Sequence, residues 1–199
     1  MLVCLSPQNI DRFVTFYRAS RRAGRQFIGD AYLATILSSL GLDSLPVPSP
    51  QDVRVFLGRR QRQQIISQGP FDLLTPLRAA RIFATEICRT PARWVMLFRR
   101  SLVHDVESFA AIGPVNLIYS LWPGYLNHSD NELTAWCSDQ NIRLIHRHTS
   151  GHADLSVLQR FAAAMRPDTV VPIHTEVPDA YAGHFSNVKI CPNGEWFAV

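Results

Sequence analysis

Two histidines lie at the two ends of one predicted helix–strand unit near the end of the chain. His152 directly precedes the predicted helix, and His174 directly follows the predicted strand at residues 169–173. Imidazole is a common metal ligand and exchanges protons near neutral pH. Catalytic and ligand-binding residues commonly occupy strand ends and loops, because a rigid scaffold aims them into a shared cleft. The spacing therefore predicts that the two rings converge on one cavity.

The elements that position these histidines follow from apolar periodicity. Asp154 precedes the apolar run and is the predicted N-cap of the helix. Pro167 ends the helix, and residues 169–173, TVVPI, have the β-branched composition of a short buried strand. The helix itself is predicted from five side chains that share one face at a period of 3.6 residues: Leu155, Leu158, Phe161, Ala162 and Met165.

His146 and His148 form a His-x-His pair that superficially resembles part of a metal site. In an extended strand the two side chains share one face. However, no carboxylate lies among them, and a catalytic zinc ion needs at least three protein ligands and an open position. A hydrogen-bonding structural role is the expectation for His146, whereas for His148 structural and functional roles are both left open. The motifs G-x-G-x-x-G, P-loop, G-x-S-x-G and H-E-x-x-H are absent.

Composition is that of an ordinary globular protein. The 199 residues are 47% hydrophobic and 18% charged, with a net charge of +4 carried almost wholly by arginine. Arginine binds phosphate in a bidentate manner, which suits a nucleic-acid surface, although a coding bias on solvated helix faces gives the same composition. The four dispersed cysteines are typical of reduced thiols, so we expect a cytoplasmic protein. No apolar run is long enough for a membrane span, and no signal peptide is recognisable.

Strands alternate with helices through most of the chain, which predicts an α/β fold with a largely parallel sheet flanked by helices. The predicted strands are residues 2–6, 26–29, 53–57, 94–98, 115–122 and 142–146, with further strands at 169–173, 188–191 and 196–199. The predicted helices between them are residues 10–22, 31–40, 75–88, 102–112 and 129–140, and the polar residues 59–68 are predicted to form a helix or a loop. Asn193-Gly194 predicts a closing hairpin turn.

Three segments resemble a known family: SGHA at 150–153, RP at 166–167 and VPIHTE at 171–176. Together they are similar to the C-terminal signature of the RNA-metabolising metallo-β-lactamase proteins called β-CASP nucleases, such as ribonuclease J and the pre-mRNA 3′-end cleavage endonuclease. Residues 120–125 resemble the exit of the inserted β-CASP domain in bacterial members. The resemblance covers most of the chain and is specific after residue 150. At Thr175 many relatives have glycine instead.

This resemblance implies a division into a β-CASP-like α/β domain at 1–125 and the C-terminal portion of a metallo-β-lactamase αββα sandwich at 126–199. It implies that His152 is the catalytic residue that contacts the scissile phosphate and that His174 is a zinc ligand. Ser150 and Gly151 would complete a phosphate-binding segment with His152 at the helix N-terminus. The residues implied to orient the metal ligand from outside the coordination sphere are Glu176 and His148.

The metal-binding H-x-H-x-D-H motif of complete family members is absent from this chain. We therefore expect zinc only when the missing N-terminal half is supplied, and no cofactor in the isolated chain. The implied function is that of the C-terminal part of a zinc-dependent metallo-hydrolase acting on RNA phosphodiesters. The missing half would be a partner chain or an absent segment, and its absence should leave a large apolar face exposed.

Two alternatives remain open. The first is a non-catalytic module that binds RNA or another phosphate ligand in an arginine-lined cleft. The second is a small metal-independent hydrolase, of phosphate esters or of other substrates, that uses His148, His152 and a carboxylate such as Asp154. The expected partner in the leading hypothesis is RNA or another phosphodiester substrate, a homodimer is left open, and no membrane partner is expected.

Overall fold

The computed structural model describes residues 1–69, 74–109, 114–128, 131–149 and 153–196. The chain forms two compact units, Met1–Thr149 and Ser150–Val199. The family resemblance predicts a domain boundary after residue 125. That boundary between a β-CASP-like domain and a metallo-β-lactamase segment remains a prediction. No helix among the described residues is both long enough and apolar enough to cross a membrane.

The first unit is built on a seven-stranded sheet in which every strand pair is parallel, as the alternating pattern predicts. The strand order is β4-β3-β2-β5-β1-β6-β7. In the register of the central strands, Val3 lies between Leu97 on one side and Ile118 on the other. The strands are β1 (Leu2–Cys4), β2 (Gln26–Gly29), β3 (Val53–Phe56), β4 (Arg81–Ile82), β5 (Trp94–Leu97), β6 (Asn116–Tyr119) and β7 (Arg143–His146).

Helices connect these strands, and local sequence signals explain where several of them begin and end. The Asp30 side chain accepts a hydrogen bond from the Leu33 N–H at 2.8 Å, and Gly41 ends the same helix in the left-handed conformation with φ 56°. The helices of this unit are α1 (Ile10–Arg22), α2 (Ala31–Leu40), α3 (Arg59–Gln68), α4 (Ala84–Arg89), α5 (Val103–Glu107), α6 (Gly124–His128) and α7 (Asn131–Asp139), with 3-10 turns at Pro91–Arg93 and Arg100–Leu102.

Apolar side chains pack against both faces of the sheet, because successive residues of a strand point to opposite sides. Along β1, Leu2 and Cys4 belong to one core cluster, and Val3 belongs to the other. All three residues of β1 are buried. Burial on both faces explains why the strands are continuous apolar runs rather than alternating ones.

Two predicted helices of the first unit are wrong in extent. The helix predicted at 75–88 is interrupted by β4, and only α4 of it is helical. The Arg54 guanidinium causes this interruption, because it donates to the carbonyls of Ala80 at 3.1 Å and Arg81 at 2.6 Å and so holds the segment along β3. The helix predicted at 102–112 ends at Glu107 in α5, and its residues 110–112 lie outside the described residues.

The second unit contains α8 (Leu155–Met165), with the predicted boundaries and the predicted Asp154 cap. The Asp154 carboxylate accepts hydrogen bonds from the Ser156 hydroxyl at 2.7 Å and from the Val157 N–H at 3.0 Å, and these two bonds lower the pKa of Asp154. The strands predicted at 169–173 and 188–191 are reduced to one bridge between Val170 and Val188. A 3-10 helix follows at Pro178–Gly183. Most of the strand predicted at 196–199 lies outside the described residues.

Candidate functional site

The loops that leave β6 and β7 bring two of the predicted histidines together at the carboxyl end of the sheet. With its proton on Nε2, His146 donates to the Leu121 carbonyl at 3.2 Å. With its proton on Nδ1, His148 donates to the Ser120 carbonyl at 3.4 Å. The two rings lie 6.3 Å apart between centroids. Both rings therefore bond to the main chain that follows β6, at Leu121 and Ser120.

Arg12 of α1 also belongs to this site. Its guanidinium donates to the Ser120 hydroxyl at 3.1 Å and to the Thr149 carbonyl. The main chain at Arg12 is held in place, because the Arg12 N–H donates to the Asn9 side chain at 3.0 Å. The signal that could have identified Arg12 is its position in the first helical turn after a central parallel strand, where ligands commonly bind.

Thr149 is the last described residue before the predicted phosphate-binding segment. Ser150, Gly151 and His152 themselves lie outside the described residues, so their predicted roles and the predicted convergence of His152 with His174 stay predictions. The two hydrogen bonds of Arg12 nevertheless fix the point from which that segment departs.

His174 lies in the second unit with an exposed side chain and a backbone in the left-handed region, at φ 54°. Few residues other than glycine adopt this conformation, although histidine does so more often than most. Such conformations are common at functional sites, where the surrounding structure maintains them. The Thr175 hydroxyl accepts from the Val177 N–H at 3.3 Å, and Glu176 is exposed. His174 therefore occupies a defined bend rather than the predicted strand end.

The described residues do not provide a complete metal site. Within them, no three side chains of histidine, cysteine, aspartate or glutamate form a group that could hold a metal ion. His174 and Glu176 therefore do not fit a zinc ion by themselves, and His148 belongs to the other compact unit. Any zinc bound through His174 requires ligands that the described residues do not contribute.

A second polar cluster lies where the chain connections diverge, between β2 and β5. The connection after β2 leads to one edge of the sheet, whereas the connection after β5 leads towards the other, which is the usual position of a ligand crevice. Here the carboxylate of Asp30 lies 2.7 Å from Nε of Arg99, and the Asp30 side chain is almost fully buried. The Arg99 guanidinium also lies over the Tyr32 ring at 5.2 Å. An internal ion pair therefore lies at this position of the sheet.

Comparison with known proteins identifies one family similarity. Residues 139–186 match the model of the Zn-dependent metallo-hydrolase RNA specificity domain. The chain is also similar to a crystal structure of a protein of unknown function from Enterococcus faecalis V583, with a TM-score of 0.66 and 18% sequence identity over 97% of this chain. That similarity shows the fold alone, and this chain spans 39% of that protein's length. No curated protein matches.

Proposed function

We propose that this chain is the C-terminal part of a zinc-dependent metallo-hydrolase of the ribonuclease J or β-CASP type, which acts on RNA phosphodiesters when a metal-binding half is supplied. The observation that carries the proposal is the match of residues 139–186 to an RNA specificity domain of such hydrolases. The matched segment contains His148, His152, His174 and Glu176. In this proposal His152 contacts the scissile phosphate, and His174 is one ligand of a zinc ion whose other ligands lie elsewhere.

The apolar surface of the second unit supports the need for a partner surface. Helix α8 is amphipathic, yet Phe161 and Met165 on its apolar face are each 64% exposed. Among the described residues 153–196, no side chain is buried. The described residues of this unit therefore lack the apolar burial that normally stabilises a fold, and exposed apolar surface commonly marks an interface. A metallo-β-lactamase half packed against α8 would supply this burial.

The experiment that tests the proposal joins the chain to a metal-binding half, either as a co-expressed protein or as an N-terminal fusion. Zinc content and cleavage of labelled RNA are then measured for the chain, for the half and for the complex. We expect zinc-dependent cleavage by the complex. We also expect His174→Ala to lower its zinc content, because a zinc ion held in a structural or catalytic site depends on its full ligand set. Glu176→Gln should weaken zinc binding by about 10- to 100-fold, as is typical of residues that orient a ligand.

The matched control is His184→Ala, because His184 is an exposed histidine of the same unit. This variant should retain the zinc content and the cleavage of the unsubstituted complex. Unchanged zinc content in His174→Ala would remove the ligand assignment. A complex that binds RNA but never cleaves it, with or without zinc, would instead favour the non-catalytic binding module.

A further inference from the structure

The carboxyl ends of β3 and β4 open onto a cavity of about 370 Å³ at the edge of the sheet. This volume lies in the range of small-ligand pockets, which is about 300–1,000 Å³. Its wall is apolar at Phe56, Ile82 and Phe109, and Arg62 and Phe83 lie at its margin. The cavity is distant in the sheet order from β6 and β7, whose loops form the site described above.

Phe83 is the most unusual side chain of this edge, because it is 56% exposed while the preceding Ile82 is 2% exposed. Its backbone is nevertheless fixed, since its carbonyl accepts hydrogen bonds from the N–H groups of Glu86 at 3.0 Å and Ile87 at 3.1 Å. The Arg81 guanidinium lies 5.0 Å from the centre of the ring. An exposed ring on a fixed backbone beside a guanidinium is the arrangement on which nucleic-acid bases stack.

The adjacent helix α3 supplies positive charge without compensating acidic residues. Its sequence, RRQRQQIISQ, contains Arg59, Arg60 and Arg62, all exposed, and no carboxylate. The carboxylate of Asp105, which lines the cavity, accepts from the Arg59 N–H at 3.1 and 3.2 Å. Within the described part of the chain, no ion pair neutralises the side chain of Arg60 or Arg62.

The remaining acidic side chain near the cavity is already paired. Glu86 of α4 forms a two-point ion pair with Arg54, with nitrogen–oxygen distances of 3.1 and 3.2 Å. This ion pair neutralises the charge of Glu86 at the start of α4. It also holds in place the helix whose N–H groups bond to the Phe83 carbonyl. The edge therefore combines a fixed aromatic platform with Arg62, an exposed arginine that lines the cavity, and arginine binds the phosphates of nucleic acids.

We propose that this edge binds single-stranded RNA, with one base stacked on Phe83 and a neighbouring phosphate bound by Arg62 of α3. The choice of RNA rests on the proposed function, and the site adds a contact surface away from the predicted scissile phosphate. A single strand is required, because a base paired within a duplex cannot place its face on a protein ring. The proposal thus assigns a substrate-holding role to the sheet edge at β3 and β4.

The test measures binding of a fluorescently labelled oligouridylate to the full chain by anisotropy over a series of salt concentrations. Stacking on an aromatic ring contributes about 1–3 kcal/mol per base, so Phe83→Ala should weaken binding by about 5- to 150-fold. Phe83→Trp should restore it, because tryptophan also stacks. Arg62→Ala should reduce the slope of log affinity against log salt by about 0.7, the value for one phosphate contact on a single strand.

Two matched controls separate the site from general effects. Arg22→Ala removes an equal charge at the C-terminal end of α1, and Phe161→Ala removes an exposed ring from the second unit. Neither control should change binding. Unchanged affinity in a folded Phe83→Ala variant would overturn the proposal, and so would equal, Phe83-dependent binding of a fully paired duplex.

Absence of oligouridylate binding by the unsubstituted chain would also overturn it, because the site lies within a single compact unit. That outcome would not decide the proposed function, because the proposed function is tested separately, by the zinc content and RNA cleavage of the complex with the metal-binding half. Conversely, a complex that takes up no zinc refutes the metallo-hydrolase while Phe83-dependent RNA binding can still be observed.

Discussion

Arg12 is predicted to hold the loop after β7 in place as far as Thr149, and Arg12→Ala should release that loop. Its guanidinium makes two hydrogen bonds, one to the buried Ser120 and one to the exposed Thr149 carbonyl. Hydrogen bonds that involve a charged group contribute about 1.5–3 kcal/mol each when well buried. Because both contacts are partly solvated, we expect a combined loss of about 2 kcal/mol, which corresponds to about a 30-fold increase in local opening.

Hydrogen exchange measures this opening directly. The Arg147 N–H donates to the Tyr119 carbonyl at 2.9 Å, so its exchange rate reports on the loop after β7. We expect Arg12→Ala to accelerate exchange at Arg147 by about 30-fold. Ser120→Ala removes one of the two contacts and should accelerate it by about 5-fold, for a loss of about 1 kcal/mol.

The matched control is Arg18→Ala, which removes an exposed arginine from the same helix. It should leave exchange at Arg147 unchanged. The reasoning would be refuted if Arg12→Ala lowered the global unfolding free energy while exchange at Arg147 remained as in the unsubstituted protein. That result would mean that Arg12 stabilises α1 rather than the loop.

Two further predictions concern the first unit. Asp30→Ala should lower the unfolding free energy measured in urea by about 3 kcal/mol, because it removes the carboxylate that caps the Leu33 N–H and leaves Arg99 without its buried partner. Asp30→Asn keeps the capping oxygen and should therefore lower the unfolding free energy by less. Equal losses in the two variants would contradict the assignment of separate capping and ion-pair contributions to Asp30. Burial, with a smaller contribution from the hydrogen bond to Asp52, raises the pKa of Tyr17 to about 12. The folded protein therefore retains this proton more tightly than the unfolded chain, so the stabilisation is complete below about pH 10 and is lost as pH rises towards 12. Unfolding free energies measured across that window should fall less steeply for Tyr17→Phe, and parallel curves would refute the assignment.

Local signals predicted the parallel sheet well. Helices α1 and α8 have the predicted boundaries, because each combines a strong apolar period with a polar cap, Asn9 in one case and Asp154 in the other. The strands of the central sheet are recognisable because burial on both faces makes them continuous apolar runs. These properties depend on residues that are close together in the sequence, so they can be recognised from a single sequence.

Long-range contacts explain what the sequence did not predict. Strand β4 has only two residues, and the Arg54 guanidinium holds it from a position more than two dozen residues earlier. Arg12 likewise reaches Ser120 and Thr149 from the other end of the first unit. No periodicity encodes such pairings. The histidine pattern did identify His146 and His148 as neighbours, since their separation by one residue is itself local.

The interior position of β1 has a consequence for the order in which the protein folds during synthesis. Both neighbours of β1 come late in the chain: Val3 pairs with Leu97 of β5 and with Ile118 of β6. Strands β2, β3 and β4 can associate with one another as they leave the ribosome, but β1 must wait until β5 emerges. During that interval its three apolar residues lack their strand partners, so completion of the sheet depends on pairing between residues far apart in the sequence.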